Sequence, residues 1–188
     1  MSHDSSTHPK TTAPSRRILA VLLTLVLTLG LAGHAWAQDL GREVAGLEET
    51  HLATFDDLDF NVFTGQKWDE LGRSHAQDVI VHWPDGRTTV GIDDHIEDLK
   101  AMFVFAPDTR IEEHPIRIAS GKWTAVTGVI EGTFSAPMPI GEGKEIAPTG
   151  KAFKLPMATI GRWENGTMAE EWLFWDNQAF MKQIGLAD

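Results

Sequence analysis

IGRWENGTMAEEWLFWDNQAFMKQIGL, residues Ile160–Leu186, is the stretch from which the rest of the chain is read. Asn165-Gly166 tolerates positive φ at both positions, as a two-residue type I′ turn requires, so a strand ending near Glu164 returns as one starting near Thr167. With a two-residue loop the register pairs Thr159 with Trp172, Met157 with Phe174 and Leu155 with Asp176, all on one face. Asp176 then arrives where the strand gives way to the helical run Asn177–Ile184, on a face otherwise apolar or nearly so. Desolvation there predicts a raised carboxyl pKa.

Upstream, Val44, Leu47, His51 and Leu52 fall at helical spacing, Asp56, Asp57 and Asp59 interrupt it, and Lys67–His75 begins another amphipathic turn, which predicts two or three short helices. Asp78–Trp83 alternates as a first strand before the turn Pro84-Asp85-Gly86. A helix capped at Asp93 or Asp94 follows, with Ile96, Leu99, Met102 and Phe103 as its buried stripe, ending before Pro107. Two long strands, Thr109–Ala119 and Lys122–Ser135, join at Ser120-Gly121, with Gly128 and Gly132 as bend points, and Pro137–Pro148 reads as a loop. Helices, strand, helix, four strands and a terminal helix make an α+β arrangement with a bent antiparallel sheet.

The first 37 residues read as a targeting segment. Lys10, Arg16 and Arg17 form a positive region, Ile18–Ala32 is an uncharged run of about 15 residues, shorter than a membrane span, and Ala35-Trp36-Ala37 has the small-x-small pattern of a cleavage site. Residues 1–37 are therefore expected to be a signal peptide and 38–188 one domain, exported to the periplasm or secreted and without stable membrane association after cleavage. Ser15-Arg16-Arg17 leaves the general and twin-arginine export routes both open. Loss of Lys10, Arg16, Arg17 and Asp4 from the 16 basic and 27 acidic side chains leaves 13 and 26. That balance excludes nucleic acid and anionic membrane as partners. The chain has no cysteine, which removes disulfides, thiolate metal sites and a cysteine nucleophile together. Seven tryptophans and nine phenylalanines predict an aromatic-rich core.

The run Glu170–Leu186, a Trp-rich strand ending in an aspartate and followed by a helix closing on Gln183-Ile184-Gly185, resembles the C-terminal signature of the SnoaL-like polyketide (ester) cyclases of the NTF2-like superfamily. Pro148-Thr149-Gly150-Lys151 after Gly132-Thr133-Phe134 is a second match, and the resemblance covers most of the chain after roughly Val44. It implies a cone-shaped, curved antiparallel sheet wrapped by N-terminal helices around an apolar pocket, with Phe60, Phe63, Trp68 and Leu71 facing the cavity. It further implies that Asp176 is the general acid/base of a cofactor-free aldol-type cyclisation or isomerisation. Similar folds pair as homodimers through the convex side of the sheet, here expected to include Leu173, Trp175, Ala158 and Ile160. The family's supporting histidine on the preceding strand is missing, since the last histidine is His114 and Arg162 lies where that partner would be sought.

The candidate catalytic residues are thus Asp176, His82 and His114, with Trp172, Phe174, Met157, Leu155, Trp68 and Phe63 as the wall for a hydrophobic small molecule. Each also has a plainer role: Asp176 as a helix cap, and the histidines as core or rim residues. His75 and His95, in stretches read as helical, are expected to be solvated. No metal is expected, because no His-x-x-x-His, His-Glu or cysteine spacing occurs, and Gly-x-Gly-x-x-Gly, P-loop and Gly-x-Ser-x-Gly motifs are absent. Two functions remain open: an exported cyclase-like lyase or isomerase acting on a small carbonyl compound, and a non-catalytic binding module that uses the same cavity.

Overall fold

The computed structural model describes the backbone of residues 16–188 and side chains from Trp36 onward. The expected signal peptide, Met1–Ala37, lies almost wholly outside those described side chains. Among the residues described with side chains no helix is long and apolar enough to cross a membrane. Val44–Asp188 forms one compact unit, and the described residues before it belong to the helix α1, Arg16–Asp57.

Within that unit α1 runs into a π-helical turn, Leu58–Phe63, and a 3₁₀ turn, Trp68–Arg73. There follow β1 (His75–His82), β2 (Thr88–Val90), α2 (Ile92–Phe105), β3 (Arg110–Ile111), β4 (Ile116–Ser120), β5 (Trp123–Thr133), β6 (Met138–Pro139), β7 (Glu145–Ile146), β8 (Ala152–Glu164), β9 (Thr167–Trp175) and α3 (Asn177–Gln183). The main sheet has the order β2-β1-β9-β8-β5, and β5 takes both β3 and β4 on its far edge. It is a curved, unclosed sheet covered by helices, an α+β fold. The pairing is antiparallel throughout except between β1 and β9, which run parallel.

Alternation decides which side chains enter the core. On β5, Thr124, Val126 and Ile130 are buried while Trp123, Ala125, Thr127 and Val129 face outward. The buried apolar groups form two clusters, one around Phe55, Val81, Trp163 and Met168, the other around Phe63, Phe103, Ile130, Phe134 and Phe153, with Leu99, Met157 and Trp175 packed against both.

The structure departs from the sequence reading in five places. The strand expected over Thr109–Ala119 is split between β3 and β4 by Glu112–Pro115, where Pro115 has no N–H to offer a ladder. The first strand starts at His75, inside what read as a helical turn. The second helix begins at Ile92, earlier than Asp93, because Gly91 turns the chain with a φ of 103°. The loop Pro137–Pro148 contains a short hairpin, β6–β7.

The fifth departure matters most. Asn165-Gly166 makes the expected turn and pairs Glu164 with Thr167 and Trp163 with Met168, but the next pair is Arg162 with Glu170. Ala169 is an extra residue, a β-bulge, and from there each β9 residue sits one position off the regular register. Because side chains alternate with a period of two, the slip exchanges the two faces of β9. Thr159 therefore pairs with Leu173 and Met157 with Trp175 on the inner side, while Trp172 and Phe174 point outward opposite Ile160 and Ala158. Leu173 and Trp175 are inside, not on the convex face where they were expected.

Candidate active site

Between α2, the π-helical turn and the concave side of the sheet lies a cavity of about 250 Å³. Leu58, Phe63, Leu99, Met102, Phe105 and Trp175 give it a largely apolar wall. Arg87, held by Asp85 and Asp98, lies over the ring of Trp83 at 5.2 Å among the same lining residues. Two groups of ionisable side chains enter this apolar space.

The first is built on the bulge. Glu171, turned inward by Ala169, is 4 % exposed and lies across the ladder from Gly161. A Cβ at Gly161 would fall 2.7 Å from Met168 Sδ and 2.9 Å from Thr124 Oγ1, so only glycine leaves this crossing open. His75, the first residue of β1, and His95, on the sheet-facing side of α2, are both 2 % exposed. Their Nε2 atoms lie 3.6 and 3.5 Å from Glu171 Oε2. Burial pushes the Glu171 carboxyl up, but His75, with a smaller contribution from His95, outweighs it and holds the group below the usual range. Burial takes His95 down to about 4 against the attraction of Glu171, so it is neutral at pH 7.

The second group comes from the π-helical turn. Thr64 N–H reaches back five residues to the Asp59 carbonyl, and this wider winding brings the Asp59 side chain to the cavity wall. Asp59 Oδ2 lies 2.8 Å from His114 Nε2, and the other ring nitrogen of His114 is 2.7 Å from Asp56 Oδ1. Arg117 completes the chain at 2.9 Å from Asp56 Oδ2. Burial raises the Asp59 carboxyl, more than the histidine beside it lowers it. His114 loses charge stability through burial but regains more from Asp59 and then Asp56, so its imidazole is raised above its ordinary value.

The residues expected from sequence divide. Phe63 and Met157 line the cavity. Leu155 is buried in the second core cluster and Trp68 packs against Phe63 and Phe103, and neither lines the cavity. Trp172 and Phe174 are on the outer face, the latter half exposed. His82 is also outside, stacked on Trp172 with ring centroids 4.9 Å apart and 2.9 Å from Glu170. Arg162 joins this outer row by pairing with Glu170 and Glu164. Asp176 is exposed and caps α3, its Oδ1 accepting from Ala179 N–H at 2.9 Å, so it does not meet His82 or His114 around the cavity. His114 reaches the cavity only through Asp59. His75 and His95, expected to be solvated, are buried in its wall.

The family model for SnoaL-like polyketide cyclase matches residues 51–184. The chain belongs to the SnoaL-like polyketide cyclase family. Among solved structures, this SnoaL-like chain is similar to IdmH, a candidate polyketide cyclase from Streptomyces antibioticus, with 22% identity, 71% of this chain and 96% of that one covered, and a TM-score of 0.60. A candidate SnoaL-like cyclase from Jannaschia sp. CCS1 is 19% identical over 76% and 96% of the two chains, with a TM-score of 0.65. A protein from Catenulispora acidiphila with a ketosteroid isomerase-like fold, solved with trimethylamine, is 16% identical over 71% and 92%, with a TM-score of 0.58. These likenesses support the NTF2-like fold, and membership of the family supports a cyclase- or isomerase-type function without a cofactor. No curated protein matches the chain.

Proposed function

We propose that this SnoaL-like protein performs acid/base chemistry on a small hydrophobic carbonyl compound, with Asp59 as the proton-transferring group. The observation that carries this reading is a carboxyl in the wall of an apolar cavity, its side chain only 14% exposed, 2.8 Å from the ring nitrogen of a histidine that is itself held by a second carboxylate. Burial moves Asp59 toward the range in which a carboxylate is an effective base near neutral pH. The carboxylate takes a proton from the carbon beside the carbonyl, leaving an enolate. Either the enolate is reprotonated elsewhere by Asp59, an isomerisation, or its carbon attacks a second carbonyl and the resulting alkoxide takes the proton back, a ring closure.

The test is exchange of α-protons for deuterium in a panel of small apolar β-dicarbonyl compounds, followed by NMR. Asp59→Asn should slow exchange by about 10²–10⁴-fold. Exchange equal to that of the unaltered protein would remove Asp59 from the role.

The leader pattern at Met1–Ala37 favours a second reading, in which the exported domain only binds a hydrophobic molecule in the same cavity. Quenching of Trp83 and Trp175 fluorescence by an apolar ligand, with no proton exchange in any member of the panel, would favour it. In either reading the protein is exported and pairs with a second copy through the outer face of the sheet.

A further inference from the structure

Three side chains from three separate elements meet at the deep end of the cavity in an arrangement that the proton transfer by Asp59 does not use. His75, His95 and Glu171 each offer one ligand atom, and these atoms all lie within 4.8 Å of one another. Two atoms bound to one ion at about 2.0–2.2 Å with a tetrahedral angle stand roughly 3.3–3.6 Å apart. The two nitrogen–oxygen separations, 3.5 and 3.6 Å, fall within that range and beyond an ordinary hydrogen bond.

Hydrogen bonding fixes how His75 presents itself. Ser74 Oγ gives its proton to the Leu71 carbonyl at 3.1 Å, so in its 2.9 Å contact with His75 Nδ1 the hydroxyl accepts and the ring donates. Nε2 is then left to face the carboxylate, and both His75 Nε2 and Glu171 Oε2 find no hydrogen-bond partner among the described residues. With the ring neutral, Nε2 carries no proton, and a bare imidazole nitrogen facing a buried carboxylate oxygen is costly unless a positive charge lies between them. A histidine whose second nitrogen is held by a neighbouring oxygen is the usual partner arrangement of a metal ligand.

We propose that His75, His95 and Glu171 bind one divalent first-row transition-metal ion of the zinc type. Two imidazoles and a carboxylate suit that class of ion, and three protein ligands leave a position open to the cavity that all three residues line. The site goes beyond the Asp59 reaction and does not depend on it. An ion there would polarise a carbonyl oxygen or a water molecule in the cavity.

The test uses the full chain stripped with chelator and titrated calorimetrically with Zn²⁺, and with Co²⁺ read by its visible d–d absorption. One ion per chain is expected, with the intense Co²⁺ bands of four- or five-coordination and a raised Tm. Glu171→Gln and His95→Asn should each weaken binding by at least about 100-fold, and Ser74→Ala, which touches no ion, by about 10–100-fold. Absence of binding, Co²⁺ bands of the weak six-coordinate kind, or unchanged affinity in the folded variants would overturn the proposal. Should a variant not fold, the Co²⁺ spectrum of the unaltered chain decides. Asp59→Asn should leave Zn²⁺ affinity within a few-fold while slowing proton exchange by about 10²–10⁴-fold, so the two readings fail separately.

Discussion

Met168 and Glu171 point to the same side of β9 although they stand three positions apart, an odd spacing that in a regular strand would put them on opposite faces. The bulge at Ala169 makes this possible, and the space opposite is kept by Gly161. Gly161→Ala should therefore destabilise the fold by about 1–3 kcal/mol, since the added methyl meets Met168 and Thr124 inside a packed core. A shift of the urea midpoint measures it. An unchanged midpoint would mean that Met168 moves aside freely and the crossing is not tight.

Asp59 and Asp176 give opposite outcomes in the same pair of assays. Asp176→Ala removes the bond to Ala179 N–H and should cost about 1 kcal/mol of stability with α-proton exchange unaltered, whereas Asp176→Asn keeps most of the cap. Asp59→Asn should lose exchange by about 10²–10⁴-fold with the fold retained. Loss of exchange in Asp176→Asn would return the acid/base role to the strand end.

His114 makes stability fall on the alkaline side. Its imidazole faces Asp59 on the π-helical turn and Asp56 on α1, with Arg117 beyond Asp56, and its folded pKa lies above the ordinary 6.5. A raised pKa means that the folded chain holds the proton more tightly than the unfolded one. The stabilisation is complete below 6.5 and is lost as pH climbs through the folded value. Asp59, also raised, has the same sign at its lower range. Melting temperature of the unaltered protein should thus decline relative to His114→Gln as pH rises from about 6.5 to 9. Parallel pH curves for the two would refute it.

The mature protein is expected to begin at Gln38. N-terminal sequencing of exported material checks this, and a product that keeps Ser2 would exclude cleavage at Ala37.

Self-association is expected on the outer sheet face, where Ile116, Ile118, Trp123 and Phe174 are exposed beside Trp172 and Ile160. Arg162 and Glu170 lie on the same face and supply self-complementary charges across a two-fold axis. Phe174→Glu should convert a dimer to a monomer in light scattering, with exchange per chain little changed. A monomer before substitution, at every concentration tried, would rule the interface out.

Much of the fold could be read from the chain because local signals and global placement agree. Asn165-Gly166 made its turn, Asn177 began a helix, and Ile96, Leu99, Met102 and Phe103 packed as one stripe. The site was less legible. Ala169 carries no glycine, proline or polar signature to mark a bulge, and one undetected extra residue exchanged the assignments of Leu173 and Trp175 with those of Trp172 and Phe174. His75, His95 and Glu171 lie far apart in sequence, so no spacing rule could unite them. Adjacent residues of a strand alternate faces, so of Glu170 and Glu171 one had to enter the core, and the bulge made it Glu171.

The parallel contact between β1 and β9 has a bearing on timing. β1 belongs to the first half of the chain, whereas the strand that flanks it on the cavity side is the last to be made. Until β9 emerges, His75 has no Glu171 and the sheet has a gap in its middle. A chain emerging from its N-terminal end would be held back from premature closure by this order of strands alone. Assembly then becomes a single late event, limited by how fast two distant segments find each other.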